Sequence, residues 1–173
     1  MRRLPPCLLL LYACGPPSIS YHPPPQKKIE QIKEEFALTS FVRMNDANAK
    51  LHIVADVSDT DEGSWRWAYS RPELRFFLNS VENQVFVMDF ALPEATFRET
   101  GPVTLSLFVN GTLAGRERYP APGHQYLEKA VPAAILLPNA ANSVVVKPEP
   151  VWVSAQDGAR LGFVLSSAGF RKK

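Results

Sequence analysis

Beyond residue 40, apolar side chains recur at every second position in short runs, a period that only a strand half-buried on one face satisfies. Trp65, Trp67 and Tyr69 alternate with Arg66 and Ala68, and Leu74, Phe76 and Leu78 alternate with Glu73, Arg75 and Phe77. Val103, Leu105, Leu107 and Val109 alternate with Thr104, Ser106 and Phe108 before the run stops at Asn110-Gly111. Both residues of an Asn-Gly pair tolerate positive φ, so the pair predicts a hairpin with a return strand from Thr112 to Tyr119. A strict two-residue turn sets Leu105 opposite Arg116 and aims a charge at the core. A bulge near Gly115, or a longer loop, is therefore expected.

Val85 to Leu92 is apolar on both faces except at Asp89, as a central strand would be. Further strands are expected over Gln125–Val131, Asn142–Lys147, Val151–Ser154 and Ala159–Ser166, with Leu161, Phe163 and Leu165 on a core face. Eight or nine short strands separated by Pro-, Gly- and Asn-containing turns predict an all-β fold. The expected form is an antiparallel β-sandwich of jelly-roll type, with no internal repeat.

The first forty residues obey other rules. Met1-Arg2-Arg3, the apolar stretch from Leu4 to Ala13 and Leu11-Tyr12-Ala13-Cys14-Gly15 form an export pattern and resemble the lipobox of bacterial lipoproteins. That resemblance implies cleavage after residue 13 and a lipid on Cys14, anchoring the chain to a bacterial membrane on the periplasmic or cell-surface side. The leader is too short to span a bilayer, which takes about 20 apolar residues. Residues 14–25 are proline-rich with little to bury and read as a tether. In residues 26–40, Ile29, Ile32 and Phe36 share one helical face, predicting a short amphipathic helix and a lead-in. The sandwich is expected over residues 41–170, followed by a basic tail, 171–173.

Cleavage would remove Cys7 and acylate Cys14, leaving no disulfide, so apolar burial must hold the domain together. Loss of Arg2 and Arg3 leaves 17 basic against 17 acidic residues. A near-neutral domain without a concentrated basic surface argues against nucleic acid as a partner.

His22, His52 and His124 have no metal-ligand spacing, no Gly-x-Ser-x-Gly elbow occurs, and no cofactor is expected. Asp56, Asp59, Asp61 and Glu62 read as a solvated acidic turn, with calcium as the alternative. Asp89, Glu94, Glu99 and Glu128 fall in no hydrolase pattern, although two converging carboxylates would mark a glycan-modifying hydrolase. Trp65, Arg66, Trp67, Tyr69, Arg71 and Arg75 lie within eleven residues. Flat aromatic faces bind sugar C–H faces, and guanidinium forks donate to hydroxyls. The competing reading buries the Trp65–Trp67–Tyr69 stripe in the core and leaves Arg66 exposed on the other face. Trp152, Asp157 and Arg160 form a second candidate cluster, in which Asp157 and Arg160 could pair across a turn.

Glu62-Gly63-Ser64-Trp65-Arg66-Trp67, Val109-Asn110-Gly111 and the run from Trp152 through Asp157-Gly158-Ala159-Arg160-Leu161-Gly162-Phe163-Val164-Leu165 occur in that order. In order and spacing they resemble an uncharacterised family of exported, acidobacterial-type β-sandwich lipoproteins, akin to carbohydrate-binding-like modules found beside glycosyltransferases. The resemblance implies a non-enzymatic module with no catalytic residues to carry over. Its expected partner is a glycan or another cell-envelope component, and the alternative is a structural or protein-assembly role.

Overall fold

A computed structural model describes residues 37–60 and 63–173. The expected leader, tether and N-terminal helix lie outside the described residues, as do Asp61 and Glu62. The chain forms an all-β, antiparallel sandwich of jelly-roll type, with strands that pass repeatedly from one layer to the other. In the first layer β6 (Thr112–Tyr119), β5 (Val103–Val109), β8 (Ala140–Glu149) and β3 (Arg66–Leu78) are hydrogen-bonded in that order, with β2 (Ile53–Val57) along β3. In the second, β7 (Gly123–Ala130) pairs with β4 (Gln84–Leu92), β4 with β11 (Phe163–Lys172), and β11 with β1 (Phe41–Arg43). β11 runs through Lys172, past the boundary expected at residue 170.

The core lies between the layers, where the alternation read from the sequence delivers its apolar faces. Leu74, Phe76 and Leu78 of β3, Leu105 and Leu107 of β5, and Phe163 and Leu165 of β11 are all buried. Phe76 of the first layer meets Phe86 at 6.2 Å and Phe170 at 5.9 Å from the second, ring edge to ring face. Phe90 meets Tyr119 in the same way at 5.0 Å. Such pairs add to the area they bury and hold the two faces in register.

β3 joins the layers. Its first residues pair with β11, Trp67 opposite Val164 and Ala68 opposite Phe163, while residues from Glu73 onward pair with β8. Between these parts the strand bends, because the single residue Asp56 of β2 stands against residues 69–72. Pro72 cannot donate to a ladder and suits this break. Asp56 takes φ 57° and accepts the Arg71 amide on Oδ2 at 2.8 Å, so the corner keeps a hydrogen bond that the ladder no longer supplies.

The hairpin at Asn110-Gly111 forms, and the expected bulge sits at Ala114, next to Gly115. It turns Arg116 outward and sets Glu117 opposite Leu105. The Glu117 carboxylate is met by the Lys129 ammonium reaching across from β7, and the Lys129 stem lies against Gly115. The inward charge is thus neutralised where β6 and β7 approach each other. Asn110 and Asn142 tie this hairpin to β8: Asn142 Oδ1 accepts from Asn110 Nδ2 at 2.8 Å and from the Leu137 amide at 2.7 Å.

Two short helices, α1 (Ala49–His52) and α2 (Glu94–Thr100), and strands β1 and β2 were not foreseen from the sequence. His52 at the end of α1 is fully buried; Nδ1 lies 2.9 Å from the Arg75 carbonyl, and Nε2 accepts from the Thr39 amide at 3.4 Å. Burial pushes its pKa below the ordinary 6.5, helped by the Arg75 charge and opposed by the hydrogen bond to the Arg75 carbonyl and by Asp46. The unfolded chain takes up this proton near pH 6.5 and the folded chain only at lower pH. Stability is therefore expected to fall as pH drops below 6.5 toward the folded value. Urea midpoints between pH 7.5 and 5 check this, and His52→Gln flattens the dependence.

Candidate functional site

The two clusters singled out in the sequence meet at the corner of β3. β10 (Arg160–Leu161) pairs with β9 (Trp152–Val153) in a small hairpin that packs on β3, and the Gly162 amide donates to the Ala68 carbonyl at 2.9 Å. Tyr69 from one cluster with its neighbour Ser70, Arg160 from the other with its neighbour Ala159, and Asp56 from β2 line a cleft of about 360 Å³. A second cleft, about 340 Å³, lies between Ser70, Lys147, Glu149, Val151 and Arg160. Arg160 lines both clefts.

The Arg160 side chain is exposed and makes no hydrogen bond or ion pair among the described residues. The expected Asp157–Arg160 pair does not form. Asp157 accepts instead from the Ala159 amide at 3.1 Å, closing the turn, and hydrogen bonds from Ser154 and Ala159 hold its carboxyl below the usual range. A short turn satisfies this carboxylate locally, which frees the guanidinium. In the second cleft Lys147 donates to Glu149 at 2.6 Å, and this hydrogen bond and charge hold the Glu149 carboxyl low.

The other candidates are placed differently. Arg66, exposed in the reading that buries the aromatic stripe, is only 2 % exposed, and its Nη1 donates to the carbonyls of Ser58 and Asp59 at 3.1 and 3.0 Å. Trp65, Trp67 and Tyr69 are half-buried on the outer side, the two indoles meeting edge to face at 6.2 Å. Alternation defined two faces but not which of them turned inward. Ala68 leaves room inside, and loop carbonyls solvate the guanidinium there. Arg71 is exposed beside the cleft through its neighbour Ser70. Arg75 lies on the far half of β3, where Nε donates to the Leu51 carbonyl at 2.7 Å and ties β3 to α1. Trp152 Nε1 donates to Glu99 Oε2 of α2 at 2.7 Å, and the half-buried indole borders a crevice with Leu92, Phe97 and Leu161. Its visible job is to clamp α2 onto the β9–β10 hairpin.

Asp56, Ser70 and Lys147 were not foreseen as cleft residues. No local pattern marks them, because each reaches the cleft through strand pairing. Among the described residues, no three His, Cys, Asp or Glu side chains are grouped to hold a metal ion. A larger hollow of about 730 Å³, between Thr39, Phe41, Phe77 and Arg171, lies at the opposite ends of these strands.

No family model matches the chain, and no curated protein matches it. Among solved structures it is similar to a carbohydrate-binding module, CBM36, in complex with calcium and xylotriose. Identity there is 11 % and the TM-score 0.41, over 76 % of this chain and 98 % of the module. It is similar also to an acetyl xylan esterase from the rumen bacterium Butyrivibrio proteoclasticus, at 11 % identity and TM-score 0.43, covering 77 % of this chain and 32 % of the enzyme. An exo-β-1,3-galactanase from Phanerochaete chrysosporium follows at 10 % identity and TM-score 0.41, covering 78 % and 29 %. The chain spans less than a third of the galactanase. Likeness this distant says nothing of ligand or activity.

Proposed function

We propose that this chain is a saccharide-binding module without turnover, exported and tethered to a bacterial membrane through Cys14. The observation that carries the binding reading is the meeting of Tyr69 and Arg160 at one cleft. Tyr69 offers a ring face for sugar C–H groups, Arg160 offers donors unclaimed among the described residues, and Asp56, whose Oδ2 takes the Arg71 amide, offers a carboxylate acceptor. A shallow, mixed cleft of this kind meets hydroxyl pairs from both sides. The tether rests on the lipobox pattern from Leu11 to Gly15 and the proline-rich stretch after it.

Isothermal titration with β-linked glucose, xylose, galactose and N-acetylglucosamine oligosaccharides tests the reading. Arg160→Ala and Tyr69→Ala are each expected to weaken binding about tenfold, equivalent to about 1.4 kcal/mol, and Arg160→Ala, at an exposed position, is expected to leave the melting temperature unchanged. Unchanged affinity in both variants, or no binding by the parent at millimolar sugar, overturns it. Mass spectrometry of the mature N-terminus tests the tether: an intact Met1 overturns it.

A further inference from the structure

Tyr69 of the cleft stands two residues from Trp67 on the same face of β3. Strand register carries its line onto the outer face of the second layer, since residues paired across strands share a face. The next row reads Trp67, Val164, Ala91 and His124, from β3, β11, β4 and β7. The row after it reads Arg43, Ser167, Asp89 and Tyr126, from β1, β11, β4 and β7. In both rows the middle residues are small or short and the outer ones large. Three strand spacings separate the outer residues, about 14 Å, which leaves a shallow strip with an aromatic or cationic wall on each side.

The strip is polar where it is open. His124 Nε2 lies 2.5 Å from Asp89 Oδ1, and both side chains reach solvent, 73 % and 37 % exposed. Tyr126 beside them is 47 % exposed, a large side chain left facing water at mid-strand. One row further the strip closes: Val87, opposite Gly169, is 3 % exposed although it lies outside the inter-layer core. The Phe41 ring, with the Arg171 guanidinium 4.8 Å from its centre, stands over that end.

We infer that the strip is a second subsite continuous with the cleft, so that the protein holds an oligosaccharide along Tyr69, Trp67, His124, Asp89 and Tyr126. The inference rests on the saccharide reading above. An extended peptide is disfavoured, because it binds sheets by adding a strand to an open edge. Here the floor strands β4 and β11 are hydrogen-bonded on both sides, which leaves side chains alone to make contact. Ring faces with a carboxylate–imidazole pair and a guanidinium suit stacked sugar rings and their hydroxyls.

The test compares di- and tetrasaccharides of the sugars named above by titration calorimetry, with thermal melts to confirm folding. The parent is expected to bind the tetrasaccharide at least about tenfold tighter than the disaccharide. Tyr126→Ala and His124→Ala, both at exposed positions, are expected to remove that gain and leave disaccharide affinity within about twofold, whereas Arg160→Ala weakens both ligands. Strip variants that keep the gain, or that weaken both lengths equally, overturn the inference while the cleft reading stands. If the parent binds no sugar of either length, the cleft reading fails and the strip falls with it.

Discussion

Gly169→Ala is expected to cost about 3 kcal/mol or more and to detach β1 from the sheet. Two independent penalties act at this residue. Gly169 has φ 151°, a conformation that L side chains rarely adopt, and a Cβ built there lies 2.4 Å from both Phe41 Cα and the Ser40 carbonyl oxygen. The obstructing atoms are backbone, so no rotamer change relieves the overlap; β1 itself must move. Its movement breaks the pairing of Phe41 with Gly169 and the hydrogen bond from the Phe170 amide to Ser40, and it exposes Val42, which is fully buried. Gly158→Ala is the control, since Gly158 has φ 72° with open space around its absent side chain and carries only the conformational penalty, about 1 kcal/mol. Urea denaturation of the two variants separates these costs. A loss below about 1 kcal/mol for Gly169→Ala shows that β1 is not held as described.

At Gly162 the expected loss is nearly as large and falls directly on the candidate site. A Cβ there meets the Tyr69 carbonyl oxygen at 2.4 Å, Pro148 Cγ at 2.7 Å and the Ala68 carbonyl oxygen at 3.1 Å. Close packing of the β10–β11 junction on β3 is what brings Arg160 beside Tyr69, and only glycine permits it. Gly162→Ala is expected to destabilise by about 2–4 kcal/mol and to weaken saccharide binding, because the overlap is relieved only by parting the two sides of the cleft. Ala159→Gly, at the other end of β10, is expected to cost well under half as much. Equal stability of Gly162→Ala and the parent would show that the junction is looser than the geometry states.

These two glycines illustrate where sequence reading stops. Gly162 stood in the quoted landmark and Gly169 in the last strand, yet nothing local told either from a turn glycine; the obstruction comes from Phe41 and Tyr69, far away in the chain. Asn110-Gly111 was legible because the reason for it, two left-handed conformations in succession, is complete within the pair. The bulge beside Gly115 was legible because a strict turn would have aimed Arg116 inward. Its outcome was not, since the inward position passed to Glu117, and what makes that tolerable is Lys129 on another strand.

The stripe at Trp65, Trp67 and Tyr69 marks the same divide within the candidate site. A period of two states that two faces exist, and hydrophobicity chooses the inner one only when the rest of the face agrees. Here Ala68 and Arg66 face inward because the Ser58 and Asp59 carbonyls are there to receive the guanidinium. Side-chain period, turn chemistry and apolar content therefore determined an antiparallel sandwich, because each acts over neighbouring residues. Which face turned inward, which glycine carries a contact and which residues meet at the cleft were decided by the tertiary structure alone. Those outcomes depend on strand register, and register brings together residues that share no local signal.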